Sequence, residues 1–307
     1  MNQSKFSLAD VLTVSGAIIF GTFCFFSFNF LSLGETVTSI VWATVIALIL
    51  AGLALGAKLL KKTNGNFKTR MIWEWIFLFL FVVMSLIFMY PFSHYFAVYE
   101  QREDIQKKVI ANITEAEGLF ATYENYANNR LNIHQNHLNS VALAKSVNPS
   151  EYRTYGFVDG TSDRTQIENK MFVLKTKLFP SNYQEMKLKD SSWLASSKAI
   201  IASWMPLGVV DVVKGVEENL NTWKGELKEF SSFKAQGEIS DEFDFPLTFD
   251  DVTSKFTQLG SPTVLSIGIA IFLYLMMLFS YFITRRDTRY PGLKVIFGTL
   301  RKEENEW

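Results

Sequence analysis

The chain of 307 residues has a single cysteine, three histidines and no excess charge of either sign. One cysteine excludes an intrachain disulfide and a cysteine-rich zinc module. Thirty Lys and Arg residues balance 30 Asp and Glu residues, so the charge does not indicate a nucleic-acid partner. The motifs G-x-S-x-G and H-E-x-x-H and a glycine-rich phosphate loop are missing. We therefore predict no enzymatic activity, no cofactor and no nucleic-acid partner.

Charged side chains are also missing from the central parts of four long apolar runs. Each run has about 20 residues, which is enough for a helix to cross a hydrocarbon core of roughly 30 Å. Since a helix satisfies its own backbone hydrogen bonds, it is the form in which such a run can span lipid. We predict transmembrane helices at about 11–33, 37–57, 71–90 and 264–284.

These runs predict an all-α integral membrane protein with a large helical domain between spans three and four. Residues 1–97 would hold a cytoplasmic N-terminus and three spans. Residues 98–262 would form an extracytoplasmic stalk, resembling a hairpin or coiled coil, with its tip at 148–189. Residues 263–307 would hold the fourth span and a basic cytoplasmic tail.

The orientation follows from the basic residues near the predicted spans, because short cytoplasmic loops are enriched in Lys and Arg. The loop between spans two and three and the tail after span four carry these bases, whereas the loop between spans one and two carries none. Both termini are therefore predicted to be cytoplasmic. An outer region without cysteine favours a bacterial inner membrane over a eukaryotic surface. The bases are Lys58, Lys61, Lys62, Lys68 and Arg70 in the loop, and Arg285, Arg286, Arg289, Lys294, Arg301 and Lys302 in the tail.

Apolar side chains at helical spacing dominate the predicted stalk. They predict one long helix over 99–147, continuous with span three after Pro91, and short helices at Asp163–Leu178 and at 192–204, the last capped by Asp190 or Ser191. A stricter heptad pattern follows Pro206. We predict that residues 190–236 return antiparallel to the long helix. The side chains expected to pack there or to bind a partner are Phe120, Tyr123, Val213, Val216, Leu220, Trp223, Leu227 and Phe230.

Small residues in the first two spans predict close helix contacts, either within one chain or between copies. They are Ala17, Gly21, Ala47, Ala51, Gly52 and Gly56.

Two groups of polar residues were considered as metal sites. His134 and His137 stand three residues apart, but no third His or Cys lies nearby in the sequence. The acidic segment 238–251 lacks the order of an EF-hand loop, which leaves cation binding by this segment open. We predict no metal site.

The sequence favours a non-enzymatic membrane scaffold or sensor subunit. Its stalk would bind a partner or ligand at the tip and couple this event to the cytoplasmic loop. The expected partners are the lipid bilayer and other membrane or envelope protein subunits, together with a possible second copy of the chain. The alternative is an oligomeric channel or transport-complex subunit.

Overall fold

In the computed structural model every regular element of the described residues is an α-helix. The described residues are 7–62, 67–238, 240–246 and 250–285. The predicted bases Arg286, Arg289, Lys294, Arg301 and Lys302 lie outside them. The chain divides into two compact units, the first formed by 1–102 and 254–307 and the second by 103–253.

Four helices of the first unit are long and apolar enough to cross a membrane. They are α1 (Leu8–Leu31), α2 (Thr36–Lys62), α3 (Phe67–Glu100) and α10 (Val264–Ile283). Their shared core is aromatic and aliphatic, and the rings of Phe20 and Phe92 stack in it at a centroid distance of 4.4 Å. The prediction of four apolar helices at these positions is confirmed.

The third helix is longer than the predicted span, because it continues through Pro91. Proline cannot donate to the carbonyl four residues earlier, which here belongs to Ile87, but membrane helices tolerate the loss of one such bond. The helix ends at Glu100, and the Gln101 amide donates to the Val98 carbonyl at 3.1 Å in a turn. The long helix predicted over 99–147 is present as the helix Arg102–Leu143, but its predicted continuity with span three is wrong, because the chain turns at Gln101.

The second unit contains α4 (Arg102–Leu143), α5 (Pro149–Thr154), α6 (Asp163–Leu178), α7 (Tyr183–Ser203) and α8 (Pro206–Ser232), and α9 (Thr253–Thr257) begins at its last residue. The predicted helix at Asp163–Leu178 is confirmed. The predicted helix at 192–204 begins earlier, at Tyr183, so Asp190 lies inside it and does not cap it.

Helix α7 runs antiparallel to α4. Near its start, the Lys187 ammonium donates to the Glu124 carboxylate at 2.5 Å, and near its middle Lys198 pairs with Glu117 at 3.2 Å. Near its end, the Ile201 carbonyl accepts a hydrogen bond of 2.8 Å from the Gln106 amide.

Helix α8 runs parallel to α4, which corrects the predicted antiparallel pairing. The Phe120 and Trp223 rings lie 6.0 Å apart, and further along both helices the Arg130 guanidinium donates to the Ser231 carbonyl at 2.6 Å. Because Trp204 adopts a left-handed conformation (φ 47°) before Pro206, the chain reverses between α7 and α8. Residues 190–236 thus form two arms instead of one.

A non-helical segment then runs back along α4. We call residues 233–238, 240–246 and 250–252 the return segment. The Asp241 carbonyl accepts from the Tyr126 hydroxyl at 2.7 Å, and the Asp250 carbonyl accepts from the Asn112 amide at 3.1 Å. The second unit is therefore an up-down-up helix bundle covered on one side by this segment.

Candidate functional site

The candidate site is an open cleft on the second unit between α7 and α8, with a volume of about 750 Å³. This volume lies within the range of small-molecule sites. Its lining combines carboxylates, hydroxyls and amides with two indole rings and a methionine. The lining residues are Asn182, Glu185, Met186, Lys189, Asp190, Ser192, Trp193, Ser196, Asn219, Thr222, Trp223 and Glu226.

The aromatic wall of the cleft is held by close packing of the two helices. The rings of Trp193 and Trp223 lie 5.9 Å apart in an edge-to-face arrangement of 76°. Trp193 packs directly on Gly215 of α8, where a Cβ atom would come within 2.9 Å of the ring atom Cζ2. Any larger residue at this position would push the indole away, so glycine fixes the wall.

Asp190 lies at the base of the cleft and is only 6% exposed. The Trp223 indole donates a hydrogen bond to its carboxylate, but Oδ2 is buried and has no hydrogen-bond partner. Burial and, to a smaller extent, the Glu226 carboxylate on the facing helix together raise the pKa of Asp190 to about 6, against the opposing effects of Lys189 and of the Trp223 hydrogen bond. A buried carboxylate with an unpartnered oxygen is costly, because its desolvation is not compensated.

Replacing Asp190 with asparagine is therefore expected to stabilise the protein at pH 8 by about 1–3 kcal/mol. The folded pKa near 6 lies above the usual aspartate value of 3.8, so Asp190 keeps its proton to a higher pH in the folded chain than in the unfolded chain. Stability should thus fall as the pH rises from about 4 to about 6, and Asp190→Asn should remove this part of the pH dependence. Thermal unfolding of the full-length protein between pH 4 and pH 8 would measure the effect.

The matched control is Asp211→Asn, an exposed aspartate on α8 outside the cleft. It should leave both the stability and its pH dependence within about 0.5 kcal/mol of the wild type. A loss of stability in Asp190→Asn at pH 8 would show that the carboxylate contributes to the fold and carries no cost.

Most of the predicted packing or partner residues of the stalk are buried inside the second unit. Leu220 and Leu227 are fully covered, Trp223 contacts Phe120, and Phe230 is half-buried. The Tyr123 hydroxyl donates to the Leu178 carbonyl at 2.7 Å. Also buried are Val213 and Val216. Within one copy of the chain these side chains form the core between helices.

The small residues of α1 and α2 pack against other helices of the same chain at some positions and face open space at others. A Cβ atom on Gly21 would lie 3.0 Å from the Ala47 Cβ, and one on Gly56 would lie 2.5 Å from the Phe77 ring. A Cβ atom on Gly52 would meet nothing within 4 Å. An apolar groove of about 410 Å³ runs between α1 and α2 and includes Ala17, Gly21, Ala47 and Ala51 in its lining.

The histidines considered as metal ligands do not converge. His134 is 2% exposed with its Nε2 unpartnered, and burial lowers its pKa, whereas His137 is exposed to solvent. Among the described residues no three His, Cys, Asp or Glu side chains are grouped to hold a metal ion.

Three acidic side chains of 238–251, those of Glu238, Glu242 and Asp244, pair with bases of the same unit. Lys224 contacts Asp244 at 2.9 Å, and Lys228 contacts Glu242 at 3.4 Å. Glu238 forms a buried ion pair with Arg130, which also donates to the Phe233 carbonyl. We call this arrangement around Arg130 the arginine clip. It fastens the end of α8 and the return segment to α4.

One sequence signal for the cleft is the position of Asp190 among the apolar residues of α7. The buried positions of α7 are Tyr183, Asp190, Leu194, Ser197 and Ile201, and their spacing places Asp190 on the apolar seam of the helix. A carboxylate at such a position is rare unless it is paired. The predicted helix at 192–204 begins after Asp190, so the sequence pattern predicts Asp190 at a helix cap and not on the apolar seam.

The comparisons with family models, characterised proteins and solved structures found no match to this chain. The functional argument therefore depends on the cleft itself.

Proposed function

We propose that the protein is a non-enzymatic membrane sensor or scaffold subunit that binds a ligand or partner in the cleft between α7 and α8. The observation that carries this proposal is Asp190, a buried and incompletely paired carboxylate at the base of an open cleft. Such a group lowers stability, and proteins keep costly groups mainly where binding requires them. The proposed binding site therefore differs from the tip at 148–189 predicted from the sequence. It includes only the last residues of that range, from Asn182, and extends over α7 and α8 to Glu226.

The proposed orientation places the second unit outside the cytoplasm of a bacterial inner membrane, with both termini inside. Support comes from the basic residues at 58–70, since such loops stay on the cytoplasmic side. Coupling of the cleft to the cytoplasmic side would pass along the chain from α4 to α3, which are separated by one residue.

Single cysteines are expected to react on opposite sides of the membrane in a Cys24→Ala background. Thr161→Cys, on the exposed connection before α6, should react with an impermeant maleimide added to intact cells. Gly65→Cys, in the basic loop, should react only after the membrane is opened. The reverse labelling pattern would contradict the proposed orientation.

The function is tested by filling the cleft without changing its charges. Ser196→Trp adds an indole to the lining, and Ser191→Trp adds the same group to an exposed site on α7 outside it. The full-length variants are purified in mild detergent and their co-purifying proteins are identified. Partners that bind through the cleft should be missing from the Ser196→Trp sample and present in the Ser191→Trp sample. Identical sets of co-purifying proteins in both variants would contradict the scaffold function.

The alternative function, an oligomeric channel or transport-complex subunit, is favoured by the groove between α1 and α2. Small residues in its lining would let a helix of a second copy approach closely. Thr44→Trp would fill it from an exposed position. If the protein is an oligomer assembled through this groove, Thr44→Trp should convert it to monomers in lipid nanodiscs.

A further inference from the structure

We propose that the cleft between α7 and α8 binds an organic ammonium group, with Asp190 and Glu226 as its counter-ions and Trp193 and Trp223 as its aromatic wall. The proposal rests on the binding function assigned to the cleft above and names the chemistry of the ligand. It applies equally to a free amine and to a lysine side chain of a partner protein.

The charges of the cleft favour a cation. Three carboxylates line it, from Glu185, Asp190 and Glu226, against one ammonium from Lys189. Lys189 is solvent-exposed, and its lowering effect on the pKa of Asp190 is smaller than the raising effects of burial and of Glu226. A cation between Asp190 and Glu226 would relieve the repulsion between the two carboxylates and supply the missing partner of the Asp190 Oδ2 atom.

The apolar surfaces of the cleft favour an organic cation over a metal ion. Calcium takes six to eight oxygen ligands, and the described residues contain no group of three His, Cys, Asp or Glu side chains arranged for a metal. The Trp193 and Trp223 rings instead offer faces and edges to an alkylammonium, which aromatic rings attract through their quadrupole. Met186 adds an adaptable apolar surface for the carbon chain of the ligand.

The aromatic wall is held in place by contacts within the protein itself. Trp223 is almost fully buried and Trp193 is held against Gly215, so neither ring has to be ordered when a ligand binds. Preformed contacts reduce the entropy lost on binding.

Binding should depend on pH because a protonated Asp190 cannot act as a counter-ion. The groups that face Asp190 are Glu226 and the Trp223 indole on α8 and Lys189 on its own helix. With a pKa near 6, about one tenth of the Asp190 side chains are ionised at pH 5 and nearly all at pH 8. The affinity for an amine should therefore be about tenfold weaker at pH 5 than at pH 8.

The test is isothermal titration calorimetry on the full-length protein in lipid nanodiscs. The probes are n-butylammonium and the peptide Gly-Gly-Lys-Gly-Gly with an acetylated N-terminus and an amidated C-terminus, so that each carries one ammonium. Each is compared with a counterpart in which that amine is acetylated and uncharged. Each cationic probe should bind at least tenfold more tightly than its counterpart. Tighter binding of the peptide would identify a lysine of a protein partner as the source, and equal binding would identify a free amine.

Asp190→Asn should weaken binding of both cationic probes at least tenfold, and Asp211→Asn should leave it unchanged. Thermal unfolding at pH 8 checks that Asp190→Asn is folded. The inference is overturned if the uncharged counterparts bind as tightly as the cations, or if folded Asp190→Asn binds the cations as the wild type does. Loss of co-purifying proteins in Ser196→Trp without amine binding would leave the proposed function standing and refute only the ligand chemistry.

Discussion

Replacing Arg130 with methionine is expected to lower the free energy of unfolding of the unit at 103–253 by about 3–5 kcal/mol, the loss typical of breaking a buried ion pair. Arg130 is 5% exposed and its guanidinium donates to Glu238, to the Ser231 carbonyl and to the Phe233 carbonyl. Methionine would fill much of the volume but leave the Glu238 carboxylate and two carbonyls without their donor.

The measurement is pulse proteolysis of the full-length protein in urea, which cleaves only the unfolded fraction. The control is Arg164→Met, which also removes an arginine that pairs with a glutamate, but at a site where the side chain is 87% exposed. An exposed pair contributes little, so the control should change stability by less than about 1 kcal/mol. Equal effects of the two substitutions would show that the arginine clip does not hold the return segment.

The arginine clip should also make the unit sensitive to acid. Burial opposes ionisation of Glu238, but the Arg130 guanidinium and the Ala235 amide outweigh it and lower the pKa of Glu238 below its usual 4.5. A lowered folded pKa gives stability that is present above the unfolded pKa and is lost as the pH falls through the folded pKa. Asp190 has the opposite sign, and Asp159 and Asp244 also have lowered pKa values. The Glu238 effect is therefore the acid sensitivity that Arg130→Met loses and Arg164→Met keeps, both measured in an Asp190→Asn background.

The elements that could be predicted from the sequence are those set by local patterns. The four apolar helices follow from hydropathy, and Asp163–Leu178 follows from its spacing and from the proline after it. Pro91 does not mark the end of the third helix, because a proline removes one backbone hydrogen bond and a membrane helix can continue past that loss. At Gln101 no proline or glycine marks the turn, in which the Gln101 backbone amide donates to the Val98 carbonyl and its side-chain amide donates to the Ala97 carbonyl.

The relative directions of helices could not be predicted, since a heptad seam packs equally well against a parallel or an antiparallel neighbour. The deciding feature is the left-handed conformation of Trp204, which a sequence pattern does not reveal in a residue other than glycine. The cleft was missed for a related reason. It depends on Asp190 and Trp193 of α7 meeting Trp223 and Glu226 of α8, and these contacts exist only once the direction of α8 is known.

Substitution of Lys58 with methionine is expected to destabilise the first unit by about 3–5 kcal/mol. Lys58 of α2 forms a buried ion pair with Asp10 in the first turn of α1. The same carboxylate accepts from the Ser280 hydroxyl of α10 at 2.5 Å and from the Ser7 amide at 2.9 Å. Asp10 therefore joins three of the four apolar helices. In the Lys58→Met variant, the buried Asp10 carboxylate would be left without a cation.

The converse substitution, Asp10→Asn, should cost less, about 1–2 kcal/mol, because the long Lys58 side chain can extend its ammonium toward the interface from near the end of α2. The double variant should be close to Asp10→Asn alone, since no uncompensated carboxylate remains. Unfolding of the three variants in detergent gives the coupling energy of the pair. A coupling of about 2 kcal/mol or more would show that the ion pair fastens α1 to α2. Additive effects would mean that the two side chains stabilise the helices separately. Asp10 would then be held by its hydrogen bonds with Ser280 and Ser7 and not by Lys58.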